Sequence, residues 1–250
     1  MPRCRPIIAL LALLLAAAPS LRADDKPAKP IDTANALLLA LEHAGEDLTT
    51  LQADILYDRR FSLQGDRHVR EGALYFRADD AAQGKRAFAI RFDTLRIGDR
   101  QEDDPQTWIF DGRWLTEVRP AEKRLVRREV VGEGESFDPL RIGEGPMPIP
   151  IGQKADEILA RYDATLVEQD DSLNDEAKRY LVEDCWQLLL RPRSDRLDKD
   201  EFREIRLWYS KATLLPRMAR TINRARDEYV VVLINLNSNE PLAAGQIDNP

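Results

Sequence analysis

Apolar positions recur every three or four residues near the start of the chain and every second residue through most of the remainder. Ala34, Leu37, Leu38, Leu41 and Ala44 keep helical spacing, with Asp32 or Thr33 placed as N-cap and Gly45 as stop. This predicts one amphipathic helix. Beyond it Leu51, Ala53, Ile55, Tyr57, Phe61 and Leu63 share one side of a long strand, and Gln52, Asp54, Asp58 and Arg60 the other. After a turn at Gln64 to Arg67, a second strand directs Gly72, Leu74 and Phe76 one way and Val69, Glu71 and Tyr75 the other. A third runs from Arg86 to Leu95.

Thr107 to Val130 reads as three short strands joined by two turns. Asp111-Gly112 is a hairpin signal, because Gly accepts the positive φ that primed turns require and Asp tolerates it. The hairpin is expected to bring Trp108, Phe110 and Trp114 together, as core packing or as the wall of an apolar cavity. Gly132 to Gly152 then breaks the pattern with glycines and prolines and ends in the apolar run Pro146 to Ile151. A loop this long is functional or disordered, and Met147, Ile149 and Ile151 are its candidates for contact with a ligand or lid.

Gln153 to Tyr162 predicts a second, short helix with Ile158, Leu159 and Tyr162 on one side. Strand-like segments resume at Thr165–Gln169, Arg179–Leu190, Glu201–Tyr209, Leu214–Asn223 and Glu228–Leu236. The fold class is mainly β: a single antiparallel sheet of about eleven strands, curved into a barrel or half-barrel, with an N-terminal helix and a short central helix. Residues 239–250 read as a polar, loose tail.

Composition changes this picture at the N-terminus. Arg3 and Arg5, the apolar run Ile7 to Ala18 and the small Ala23 before Asp24-Asp25 have the form of a cleaved secretory signal, residues 1–23, followed by a linker, residues 24–30. The expected location is the periplasm. Cys4 would leave with the signal, so Cys185 stands alone and no intrachain disulfide is expected. Loss of Arg3, Arg5 and Arg22 takes the formal charge from −7 to −10, which disfavours nucleic acid as a partner.

Chemistry-bearing motifs are absent. His43 and His68 stand outside any metal-ligand spacing, and neither a GxSxG elbow, a phosphate-binding glycine loop nor a CxxC pair occurs. Glu102-Asp103-Asp104 before Pro105 reads as a solvated turn rather than a calcium loop. The reading is therefore not an enzyme, with neither cofactor nor metal.

Several segments in register resemble the periplasmic outer-membrane lipoprotein carrier (LolA-like) family: LTTLQADILYDRRF, EGALYFR, AFAIRF, WIFDGRWLTEVRPAEKRLVR, LLLRPRSD, FREIRLWYSKATLLPRMARTIN and YVVVLIN. They cover residues 31 to 238. The resemblance implies an unclosed β-barrel with helices across its mouth. Its apolar cavity would shelter lipoprotein acyl chains, with inner- and outer-membrane lipoprotein-sorting proteins as partners and a monomer as the working form. An envelope-stress sensor or protein-interaction module built on the same fold is the alternative. Where the family has a basic residue followed by proline after the second strand, this chain has Arg77-Ala78, so that lid role is not carried over. Candidates for the lining or the lid are Leu37, Leu41, Ile55, Phe76, Phe88, Trp108, Phe110, Trp114, Trp186 and Trp208, together with the three loop residues above.

Overall fold

A computed structural model describes residues 30–80, 85–132, 142, 151–180, 183–197 and 199–247. The export-signal reading of residues 1–23 and the loop candidates Met147 and Ile149 lie outside them.

The first helix, α1 (Ala34–Glu46), starts where the Thr33 hydroxyl accepts from the Ala36 N–H at 3.2 Å. That bond satisfies one of the orphan donors of its first turn. Eleven strands come after it: β1 (Thr50–Arg60), β2 (Arg67–Asp80), β3 (Lys85–Ile97), β4 (Arg100–Phe110), β5 (Trp114–Arg119), β6 (Arg124–Glu129), β7 (Tyr162–Val167), β8 (Cys185–Pro192), β9 (Phe202–Ser210), β10 (Pro216–Asn223) and β11 (Glu228–Ser238). Between β6 and β7 lies α2 (Ala155–Arg161), and between β7 and β8 the single turn α3 (Asp175–Lys178).

The strands form one antiparallel sheet in the order β6-β5-β4-β3-β2-β1-β11-β10-β9-β8-β7. Strands β6 and β7 are its edges, so the sheet does not close on itself. The chain must travel from one edge to the other between them, and that passage carries α2.

The inner face, covered by α1 and α2, holds two apolar clusters. One contains Leu51, Ala53, Ile55 and Tyr57 of β1 with Phe76, Phe88, Phe92 and Phe110. The other joins Leu37 and Leu38 of α1 and Ile158 of α2 to Leu188, Leu190, Ile205 and Leu207. On the outer face, Trp208, Met218, Val230 and Val232 pack with Leu173 and Tyr180 from the β7–β8 connection. That connection is pinned by Asp58, 2% exposed, which accepts from Arg67 at 2.7 Å and Arg60 at 3.3 Å, while Arg67 also reaches Glu176 of α3 at 2.6 Å. Burial on both faces explains the continuous apolar run Val230–Leu233, where an alternating pattern would mark a half-exposed strand.

Four expectations are corrected. Strand β1 ends at Arg60, and Leu63 is 91% exposed in the turn beyond it. Glu102-Asp103-Asp104 lies within β4: Phe92 pairs with Gln106 and Thr94 with Asp103, so Asp104-Pro105 form a bulge where a missing proline N–H disturbs no ladder bond. The strand expected from Arg179 starts only at Cys185, because the Asn174 side chain accepts from the Ala177 N–H at 2.8 Å and starts α3 instead. The tail is not loose as far as Ile247, which is buried on the outer face against Ala87, Ala89 and Ile109 while Arg91 donates to the Gly245 carbonyl at 2.7 Å.

Candidate functional site: an apolar inner face under a strap

One half of the inner face is a wall of rings. Tyr57 stacks on Phe92 with centroids 6.1 Å apart, Phe92 meets Trp108 edge to face at 5.8 Å, and Phe88 lies 5.7 Å from Phe110. Rings in these arrangements attract one another beyond the area they bury. The other half is mainly aliphatic, from β8, β9, α1 and α2, with Tyr162, Phe202 and Tyr209 at its margins.

Among the described residues, this face is covered by α1, the seven residues of α2, and a strap, residues 151–154, that enters α2. Arg86, projecting from β3, donates to the Ile151 carbonyl at 2.8 Å and to the Gly152 carbonyl at 2.9 Å. Gly152 adopts φ +60°, and its backbone lies directly against Gly45 of α1. The Glu42 carboxylate of α1 accepts from the Ala155 N–H at 3.0 Å. Lys154 offers α2 no side-chain cap, so α1 supplies one.

The open hollow expected for a carrier is not present among the described residues. Leu37, Leu38 and Ile151 fill the space, and where α1, the strap and the sheet meet a cavity of about 20 Å³ remains, bounded by Leu38, Leu41, Leu48, Ile151 and Tyr209. That holds about one water molecule. A larger open cleft of about 350 Å³ lies along α2, lined by Ile142, Ile158, Ala160, Arg161 and Tyr162. It reaches the lower end of the size range of ligand sites.

The polar groups beside this cleft hold structure in place. Asp200, nearly fully buried, accepts from Arg161 at 2.8 Å, Arg196 at 3.3 Å and the Tyr162 hydroxyl at 3.3 Å, and Arg161 also donates to the Ile142 carbonyl at 3.0 Å. Burial pushes the Tyr162 hydroxyl up to about 12. Burial likewise pushes the Cys185 thiol up to about 11, so it remains a protonated packing group at neutral pH and a poor nucleophile. Among the described residues no group of three or more His, Cys, Asp or Glu side chains could hold a metal ion, and no helix is long and apolar enough to cross a membrane.

The candidate residues divide between the faces. Ile55, Phe76, Phe88, Phe110, Trp108 and Ile151 gather in the ring-lined cluster, and Leu37, Leu41 and Trp186 in the aliphatic one. Trp114 and Trp208 do not join them. Phe110 pairs with Leu115, so Trp114 projects from the opposite side of the hairpin to Trp108 and Phe110, between Arg127 at 4.8 Å and Arg113 at 5.9 Å. Trp208 is buried on the outer face, its indole N–H donating to the Gln169 carbonyl at 2.8 Å. The sequence reading missed Tyr57 and Phe92 as ring partners, although both lie in the alternating pattern. It also missed Arg86, which no local signal distinguishes from the other arginines.

No family model matches this chain, and neither does any curated protein. It is similar to solved structures that include LolA-superfamily and lipoprotein-sorting domains. A LolA superfamily protein from Nitrosomonas europaea is 12% identical over 87% of this chain and 98% of that one, TM-score 0.35. A putative outer membrane lipoprotein-sorting protein domain from Vibrio parahaemolyticus is 12% identical over 86% and 96%, TM-score 0.38. The Pseudomonas aeruginosa MucA/MucB complex matches at 16% identity over 87% of this chain and 61% of that one, TM-score 0.45.

Proposed function

We propose that this chain is a non-enzymatic periplasmic binder and carrier of lipoprotein acyl chains, exchanging them with inner- and outer-membrane sorting proteins and working as a monomer. One observation carries the reading: among the described residues, an apolar inner face is covered by a strap and two helices rather than by a second sheet. Each methylene moved out of water contributes about 0.8 kcal/mol. An acyl chain taking the place of Leu37, Leu41 and Ile151 against the sheet would keep that burial nearly constant. The strap is held by polar and steric contacts from Arg86, Gly45 and Glu42 and by the buried Ile151 side chain, whose place an acyl chain can take without unfolding the sheet.

The filled interior favours a second reading, an envelope sensor or interaction module that binds a protein partner with its inner face closed. Recovery of the exported protein with bound lipid, or saturable uptake of a fluorescent acyl probe, supports the carrier. A protein that takes up neither, yet forms a stoichiometric complex with a membrane-bound regulator, is the sensor.

A further inference from the structure

We propose that Arg59 anchors the anionic end of an amphiphilic ligand, a carboxylate or phosphate, whose apolar tail runs along the rings of the inner face. This rests on the acyl-binding reading above and gives it a headgroup.

Strand β1 divides its last two arginines between the faces. Arg60 points outward, where Asp58 and Glu176 neutralise it and Arg67 together. Arg59 pairs across the strands with Tyr229, in the same alternation that sets Tyr57 opposite Val231, and so projects on the inner face. There its guanidinium carbon lies 4.8 Å from the Phe61 ring centroid, 5.5 Å from that of Tyr229 and 6.0 Å from that of Tyr57. No carboxylate or carbonyl takes its guanidinium among the described residues, and its Nε is buried without a hydrogen-bond partner.

An arginine never gives up its proton, so this site always carries a positive charge. Ring faces attract the cation but offer no acceptor in the guanidinium plane. The unfilled fork matches a carboxylate or a phosphate, which would accept two parallel bonds from it. The rings then lead away from the charge: Tyr57 stacks on Phe92, and Phe92 meets Trp108. A fixed cation at one end of an aromatic row is the negative image of an amphiphile with an anionic head. The whole chain carries a formal charge of −7, so attraction of an anion here is local rather than a property of the surface.

The test uses N-phenyl-1-naphthylamine, a neutral apolar probe, displaced from the full chain by oleate, by methyl oleate with the same tail and no charge, and by inorganic phosphate. The expected result is displacement by oleate at roughly tenfold lower concentration than by methyl oleate, the scale of one charge-assisted hydrogen bond. Arg59→Gln should remove that preference while leaving methyl oleate unchanged, which also shows that the variant is folded. Arg59→Lys should keep part of it. Equal displacement by the two oleates, or a preference that survives in Arg59→Gln, overturns the proposal and leaves the acyl-binding reading intact. Probe that never binds overturns that reading and the proposal with it. Displacement by phosphate as strong as by oleate makes Arg59 a simple anion site and removes the amphiphile.

Discussion

Gly45, in the last turn of α1, and Gly152, in the strap, meet backbone to backbone with no space for a Cβ on Gly45. An alanine in the interior of a helix is ordinarily better than glycine by about 1 kcal/mol. Here the sign reverses. Gly45→Ala must part the strap from α1, and overpacking of this kind costs about 1–3 kcal/mol. The expected outcome is a lower midpoint in urea unfolding and faster hydrogen exchange in α1, with exchange in β9 and β10 unchanged. Unchanged exchange in α1 would show that the strap does not hold it.

Arg86 secures the same junction from the sheet side. Its two bonds to the Ile151 and Gly152 carbonyls are charge-assisted, and partial exposure of the site lets water replace them in part. Arg86→Ala is expected to destabilise the closed arrangement by about 2 kcal/mol and to increase the uptake rate of an acyl probe. Stopped-flow probe binding checks it. A variant with lower stability and an unchanged uptake rate would separate the strap from ligand access.

The sheet was legible because a period of two survives wherever one face alone is buried, as in Leu51, Ala53, Ile55 and Tyr57. It failed as a guide where both faces are covered. The apolar content of Arg179 to Leu190 predicts one strand, although Tyr180 packs in the outer-face cluster with Trp208 and the strand starts at Cys185. Trp114 was misplaced for another reason: composition told that rings were near the turn, but the pairing of Phe110 with Leu115 decides their faces. In a hairpin the turn sets the register, and any turn of even length here puts Trp114 on the face opposite Phe110. Arg86 and Arg59 were illegible because their roles depend on what lies across the fold, a carbonyl pair for one and three rings for the other.

Stability should decline in alkali, and the sign comes from burial. Folding raises the Cys185 thiol from 9.0 to about 11, and the Tyr57 and Tyr162 hydroxyls from 10.0 to about 12, while Tyr209 also moves upward. The unfolded chain releases these protons first. Their contribution is therefore complete below about pH 9 and is lost as pH rises through the folded values, at about 1.4 kcal/mol per pH unit for each proton at most. Urea midpoints measured across this range check it. Cys185→Ala should flatten the early part of the decline, between about pH 9 and 11, and leave the tyrosine part in place. A decline of equal size in that variant would remove the thiol from the account.

The two tryptophans of the hairpin provide the sharpest separation between core, ligand wall and surface. Trp108 packs against the ring-lined cluster and meets Phe92 edge to face, whereas Trp114 lies on the other side of the hairpin between two guanidinium groups. Trp108→Leu keeps an apolar side chain but loses the ring contact and leaves space beside Phe92, so it changes the wall that an acyl chain would touch. Trp114→Leu removes cation–π contacts, each about 0.5–1 kcal/mol, and half-buried ring area on the outer side of the hairpin, and touches nothing on the inner face. Acyl-probe affinity should therefore change in Trp108→Leu and stay at the wild-type value in Trp114→Leu. Both variants need equal melting behaviour for the comparison, and Trp108→Phe supplies it if the leucine loosens the hairpin. An affinity change confined to Trp114→Leu would put the ligand on the outer face and reverse the assignment of the two sides of the sheet.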